Sequence, residues 1–174
     1  MPYSSKKYEE RTDVEKIQSN WKKLSGLYSR GEWSSSIVRA ATAAEIASNL
    51  VVREELENIK GIDEPFVSHL MVWANGIQGK FQKLILPAVE GKAYAQIFKQ
   101  LSNDIGEINR IRNGIVHSGK FADSEPAFQV IEKARTVILA FVCQYHPGFN
   151  LDEISKIEES HNKSMQPIAN APAD

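Results

Sequence analysis

The sequence predicts an all-helical protein, a single-domain bundle of five to six helices. Three observations indicate it. Apolar residues recur at intervals of three and four, glycine and proline separate these stretches, and no stretch alternates convincingly like a β-strand. The 174 residues, 42% of them hydrophobic and 25% charged, suffice for one domain with a buried core. We expect residues 1–12 to form an N-terminal extension, residues 13–161 the bundle and residues 162–174 a disordered tail.

Three helices are predicted in the N-terminal half. The first covers residues 12–28 or 13–28, with Asp13 as its N-cap. The second covers residues 33–59 and is rich in alanine, which predicts close packing against another helix. The third covers residues 65–86 as one continuous helix and stops before Pro87.

Three more helices are predicted in the C-terminal half. The fourth covers residues 92–117 and ends at Ser118-Gly119, a frequent C-terminal stop. The fifth covers residues 124–145, and the sixth covers residues 151–161 with Asn150 as its cap.

Composition excludes several classes of protein. No apolar stretch approaches the roughly 20 residues that span a bilayer, and no secretory signal follows the first lysines, so we expect a cytoplasmic protein without membrane contact. The only cysteine, Cys143, lies among apolar residues and is expected to be an inert thiol. No spacing of His, Asp or Glu predicts a metal site, and no cofactor motif is present. The net charge of −1 does not favour a dedicated duplex binder, although a local positive site is enough for an RNA enzyme.

Two groups of residues are assigned to ordinary structural roles. The charged residues at positions 53, 54, 55 and 57 predict a solvated helix face. Trp21, Trp33 and Trp73 are expected to anchor the core, although one that lies beside a cleft has the surface to stack a base.

The fourth helix carries the residues suited to chemistry. One face is an apolar stripe of isoleucine and leucine: Ile97, Leu101, Ile105, Ile108, Ile111 and Ile115. The opposite face holds Gly106, Arg110, Asn113, Gly114 and His117. Each glycine costs about 1 kcal/mol of helix stability relative to alanine, so we expect another backbone to approach there. Histidine serves as an acid or base near neutral pH, and arginine offers planar donors for phosphate oxygens.

The segment from Arg112 to His117 resembles the signature of the HEPN superfamily. That signature is an arginine, a polar residue, three variable residues and a histidine near the end of a late helix in an all-α bundle. The alanine-rich second helix is also similar to the family's early helices, and the resemblance covers about residues 33–145.

The resemblance implies a metal-independent endoribonuclease, in which the ribose 2′-hydroxyl attacks and leaves a 2′,3′-cyclic phosphate. His117 would be the acid or base, Arg112 would stabilise the phosphorane, and Asn113 would support them. Arg110 and Lys120 are the expected RNA phosphate contacts. Family analogy suggests a toxin or antiviral effector, with an antitoxin or another regulatory partner.

The resemblance also implies a homodimer, in which two motif helices meet across a two-fold axis. Gly106 and Gly114 would lie at the seam. Some family members carry a tyrosine two residues after the histidine, where this chain has Gly119.

The relative position of the arginine and the histidine is a geometric difficulty. Arg112 and His117 lie about 140° apart on an ideal helix. The helix must therefore loosen at Gly114, or the long Arg112 side chain must extend around it. Arg110 faces the histidine side without distortion.

Several alternatives remain open at this point. Glu45 is either a partner for an arginine of the motif helix or an ordinary boundary carboxylate. The whole domain is either a nuclease or a non-catalytic HEPN-like helical dimer that acts as an interaction or RNA-binding module. A helical bundle that binds a small molecule is a third possibility.

Overall fold

The computed structural model describes residues 6–154, which form helices joined by short turns and contain no β-strand. The predicted all-helical fold is confirmed for this part of the chain. None of its helices is both long and apolar enough to cross a bilayer. The α-helices are α1 (Asp13–Tyr28), α2 (Trp33–Arg53), α3 (Glu64–Trp73), α4 (Gly76–Lys80), α5 (Leu86–Ala88), α6 (Ala95–Gln100), α7 (Ser102–Ser118) and α8 (Ser124–Tyr145).

Three shorter segments complete the described helices. A 3₁₀ turn at Tyr8–Glu10 precedes α1, a π-helical segment at Glu54–Ile59 continues α2, and a second at Phe81–Ile85 joins α4 to α5. The sixth predicted helix lies largely outside the described residues, since residues 155–161 are not among them, and so does the predicted tail at residues 162–174.

Helix α2 is the centre of the bundle and packs against α1, α8, α7 and α4. Its small side chains let these neighbours approach, as the alanine-rich sequence predicts. All five alanines of the stretch are buried: Ala40, Ala41, Ala43, Ala44 and Ala47. The position of α2 matters for the site because one of its faces closes the cleft described below.

The N-cap of helix α1 lies one residue earlier than predicted. Thr12, not Asp13, is the N-cap: its hydroxyl accepts a hydrogen bond from the Glu15 backbone N–H (3.2 Å), and the Glu15 carboxylate accepts one from the Thr12 N–H (2.8 Å). This reciprocal pair satisfies two of the free N–H groups at the helix start, which a cap at Asp13 would not do.

The prediction of one continuous helix over residues 65–86 is wrong. Helix α3 ends at Trp73, and α4 starts anew at Gly76, whose φ of +74° belongs to the left-handed region and interrupts an α-helix. Of the residues in α3 only Val67 is buried. Trp73 is 61% exposed and does not anchor the core as expected.

The prediction of one helix over residues 92–117 is also wrong. Helix α6 starts at Ala95, and a tight turn separates it from α7, because the Leu101 N–H bonds the Phe98 carbonyl three residues back (3.0 Å). The change of direction removes Ile97 from the predicted apolar stripe and leaves it 54% exposed. Within α7 the stripe holds, with Ile105 and Ile108 fully buried.

The prediction of a solvated face at residues 53–57 is wrong for Glu55, which is fully buried. Glu55 follows the buried Ser48, Val51 and Val52 by seven, four and three residues, so helical spacing places it on the inner face. Its carboxylate accepts hydrogen bonds from Lys92, from Tyr94 and from the Tyr145 hydroxyl (2.6 Å). Burial would raise the pKa of Glu55, but these donors outweigh it and hold the pKa below its usual value.

Candidate active site

The C-terminal half of α7 brings the three motif side chains together. Arg112 Nη1 donates a hydrogen bond to Asn113 Oδ1 (3.0 Å) and lies 3.4 Å from His117 Nε2. The helix keeps its α conformation through Gly114, so the arginine side chain itself extends around the helix to the histidine. The geometric difficulty posed by the five-residue spacing is therefore resolved by the length of the arginine.

The Arg112–His117 contact has a direction. A guanidinium group has only donors, so Nε2 of the imidazole is the acceptor when this hydrogen bond forms. Because Nε2 has a single lone pair, it accepts a hydrogen bond either from Arg112 or from a substrate hydroxyl. A substrate phosphate therefore has to take over the Arg112 donor before His117 can act as a base.

Helix α7 ends one residue after His117. Gly119 adopts φ +60° as the C-cap, and both its N–H and that of Lys120 bond the Gly114 carbonyl. The left-handed residue stops the helix at a defined place and leaves His117 exposed in the last turn.

The motif side chains line a cleft of about 350 Å³. Helix α2 supplies one wall, the turn from α3 to α4 the second, and α7 the third. The lining is mostly polar: Ala41, Glu45, Asn75, Gly76, Ile77, Asn109, Arg112, Asn113 and His117. A cleft of this size and polarity suits a small charged group such as a phosphodiester.

Glu45 faces the cleft but does not pair with an arginine. Its Oε1 accepts a hydrogen bond from Lys80 Nζ (2.7 Å), and the Lys80 side chain is 8% exposed. The carboxylate that lines the cleft is therefore paired with Lys80 and not with the Arg112 guanidinium.

The other predicted phosphate contacts lie outside the cleft. Arg110 is exposed and lies on the side of α7 near Lys133, whose pKa it influences. Lys120 is exposed just after the helix end, and its side chain lies along Gly114, where a Cβ atom would be 3.3 Å from Lys120 Cδ. These two side chains flank the motif on the surface.

The two glycines of α7 face groups of their own chain. A Cβ atom at Gly106 would lie 3.9 Å from Gln78 Nε2, and Gly114 is next to the Lys120 side chain. These contacts are made within one chain, and the seam between two copies stays a prediction.

Sequence analysis missed part of the cleft. Asn109 precedes Asn113 by four residues, so helical periodicity was sufficient to place it on the same face. It donates a hydrogen bond to Gln78 Oε1 (3.3 Å). Asn75-Gly76 is a dipeptide typical of turns and was the signal for the break between α3 and α4. Lys80 had no local signal, since its partner lies 35 residues away.

Comparison with known proteins found no matching family model, no similar curated protein and no similar solved structure. The assignment of a function therefore depends on the motif and on the cleft that contains it.

Proposed function

We propose that this protein is a metal-independent endoribonuclease of the HEPN type. One observation carries the proposal: the Arg112 guanidinium and the His117 imidazole meet within 3.4 Å in a single polar cleft. These are a cation for a phosphoryl oxygen and a base for a hydroxyl proton, the two groups that the transesterification of RNA requires.

In the proposed reaction, the 2′-oxygen of the substrate attacks the adjacent phosphorus while His117 Nε2 accepts the 2′-hydroxyl proton. The bond from phosphorus to the 5′-oxygen breaks, and the products are a 2′,3′-cyclic phosphate and a 5′-hydroxyl. Arg112 donates to a non-bridging oxygen, whose negative charge grows in the transition state. Asn113 fixes the guanidinium for this role through its 3.0 Å hydrogen bond.

The leaving 5′-oxygen needs a proton from a second group. In the proposed homodimer that group is His117 of the second copy, with Gly106 and Gly114 at the seam. The substrate is single-stranded or looped RNA, because only an unpaired ribose reaches the in-line geometry that the attack requires.

A cleavage assay tests the proposal. Purified protein is incubated with unstructured RNA in EDTA, and the product ends are analysed for 2′,3′-cyclic phosphate. His117→Ala is expected to abolish cleavage without changing the fold, whereas His69→Ala, which removes an exposed histidine of α3, is expected to cleave normally. Normal cleavage by His117→Ala would end the catalytic assignment. RNA binding by wild-type protein without any cleavage would favour the non-catalytic module instead.

A further inference from the structure

A second groove opens beside the candidate cleft, between α2 and α3. Its volume is about 550 Å³, and it is lined by Asn49, Ser68, Met71, Val72, Asn75 and Lys80. We call it the α2–α3 groove. The function proposed above does not use it.

The α2–α3 groove and the cleft are adjacent. Asn75 lines both of them. Lys80 lines the groove and bonds Glu45, which lines the cleft. Glu45 and Asn49 are four residues apart on α2, so they lie on the same face, one turn from each other. The groove therefore borders the cleft at Asn75 and at the Glu45–Lys80 pair.

The groove lining combines two kinds of surface. Met71 and Val72 form an apolar wall, and Val72 is 79% exposed. Asn49, Ser68 and Asn75 offer amide and hydroxyl groups, whereas the ammonium group of Lys80 is bound to Glu45. An unpaired nucleotide needs the same combination, with an apolar face for the base and polar groups for its edge, ribose and phosphate.

We propose that the α2–α3 groove binds the unpaired nucleotide next to the scissile phosphate, with its base against Val72 and Met71. This subsite rests on the proposed function, because the cleft defines where the scissile phosphate lies. A second copy of the chain is the competing occupant. RNA is favoured because four of the six lining residues have polar side chains and because the groove lies beside a cleft that is suited to phosphate.

A matched pair of variants tests the subsite. Val72→Glu places a carboxylate in the groove. Phe66→Glu places the same charge on the same helix, at a residue that is 55% exposed and does not line the groove. Both positions are exposed, so both variants are expected to fold. The probe is a fluorescent tetranucleotide of 2′-O-methyl RNA, which binds but has no free 2′-hydroxyl to attack. An abasic version of the same tetranucleotide reports the contribution of the bases.

We expect Val72→Glu to weaken binding of the tetranucleotide about tenfold and Phe66→Glu to change it less than twofold. The abasic probe should show a smaller difference between the two variants than the normal probe, because it lacks the base that Val72 contacts. If both variants weaken binding of the normal probe equally, the effect is one of general charge and the subsite is overturned. If neither variant weakens binding, the subsite is also overturned. A Val72→Glu protein that loses self-association in light scattering but keeps its RNA affinity would assign the groove to a second copy.

Cleavage of unmodified RNA separates this proposal from the preceding one. If wild-type protein cleaves and the two variants bind alike, the subsite fails and the nuclease stands. If binding depends on Val72 but no RNA is cleaved, the groove binds a nucleotide and the nuclease fails.

Discussion

The buried carboxylate of Glu55 allows a quantitative prediction about stability. Glu55→Gln keeps the size of the side chain but removes the negative charge that three donors share. It also replaces one acceptor oxygen by an NH₂ group. This group is itself a donor, so it cannot accept the hydrogen bond that the oxygen accepted. Lys92 loses its counter-charge, and the bonds from Tyr94 and Tyr145 lose their charged acceptor.

The magnitude follows from the burial of the two charged partners. Removing one partner of a buried ion pair costs about 3–5 kcal/mol. The Glu55 side chain is fully buried, but that of Lys92 is 26% exposed and regains part of its hydration when the carboxylate is gone. We therefore expect the low end, a loss of about 3 kcal/mol in the free energy of unfolding. At about 2–4 °C per kcal/mol for a chain of this size, the melting temperature falls by roughly 6–12 °C.

Urea and thermal denaturation measure the effect. Glu54→Gln is the matched control, because it makes the same chemical change one residue earlier, where the carboxylate accepts an exposed hydrogen bond from Asn58 (2.9 Å). The control is expected to change stability by less than about 0.5 kcal/mol. Equal midpoints for the two variants would refute the assignment of Glu55 as a charged centre of the fold.

The pH dependence has a defined sign. Burial opposes ionisation of Glu55, but the donors outweigh it and hold its pKa in the folded protein below that of a free glutamate. Because the pKa of Glu55 is lower in the folded protein, its ionisation stabilises the folded state at pH values above its pKa in the unfolded chain, which is about 4.3. This stabilisation disappears as the pH falls through the pKa of the folded protein. The stability difference between wild-type protein and Glu55→Gln should therefore be largest at neutral pH and shrink in acid. A difference that grows in acid would contradict this reasoning.

Three further changes test the site and the fold. Arg112→Lys replaces the donor fork by a point charge that cannot keep both contacts, and we expect RNA cleavage to fall by a factor on the order of 10²–10³ with the fold intact, measured against wild-type protein. Gly76→Ala adds a Cβ atom to a residue with φ +74°, which is a strained conformation for alanine. We expect urea denaturation to show a loss of about 1–2 kcal/mol in the free energy of unfolding. Thr12→Ala removes the cap of α1 and should cost about 1 kcal/mol in the same assay, an effect that Asp13→Ala should not reproduce in full.

Local sequence patterns predict the long, regular helices well. The ranges 13–28 and 124–145 match α1 and α8 because each carries a sustained apolar stripe and ends at turn residues. The breaks were missed where the apolar pattern continues across them. Apolar residues occur on both sides of Gly76, so periodicity alone predicts a continuous helix there. The left-handed backbone at Gly76 interrupts that helix.

The buried charge at Glu55 could not be predicted from its neighbours. It stands in a run of charged residues, which is typical of a solvated face, and its partners lie 37, 39 and 90 residues further along the chain. Its spacing from the buried Ser48, Val51 and Val52 places it on the inner face of the helix, but only these distant partners make the burial of its charge favourable. Long-range pairs and helix irregularities therefore set the limit of the sequence-based prediction.

The five-residue spacing of Arg112 and His117 determines how the guanidinium reaches the cleft. At a spacing of four, the two side chains would be neighbours on one face, and any long cation would reach the imidazole. At a spacing of five, Arg112 starts near the apolar side of α7 and has to extend around the helix, with Asn113 accepting a hydrogen bond from it on the way. The extended guanidinium then reaches His117 at 3.4 Å, and both side chains line the cleft. Its contacts to Asn113 and His117 both come from Nη1, so the donors on Nε and Nη2 are left for the oxygens of a bound phosphate.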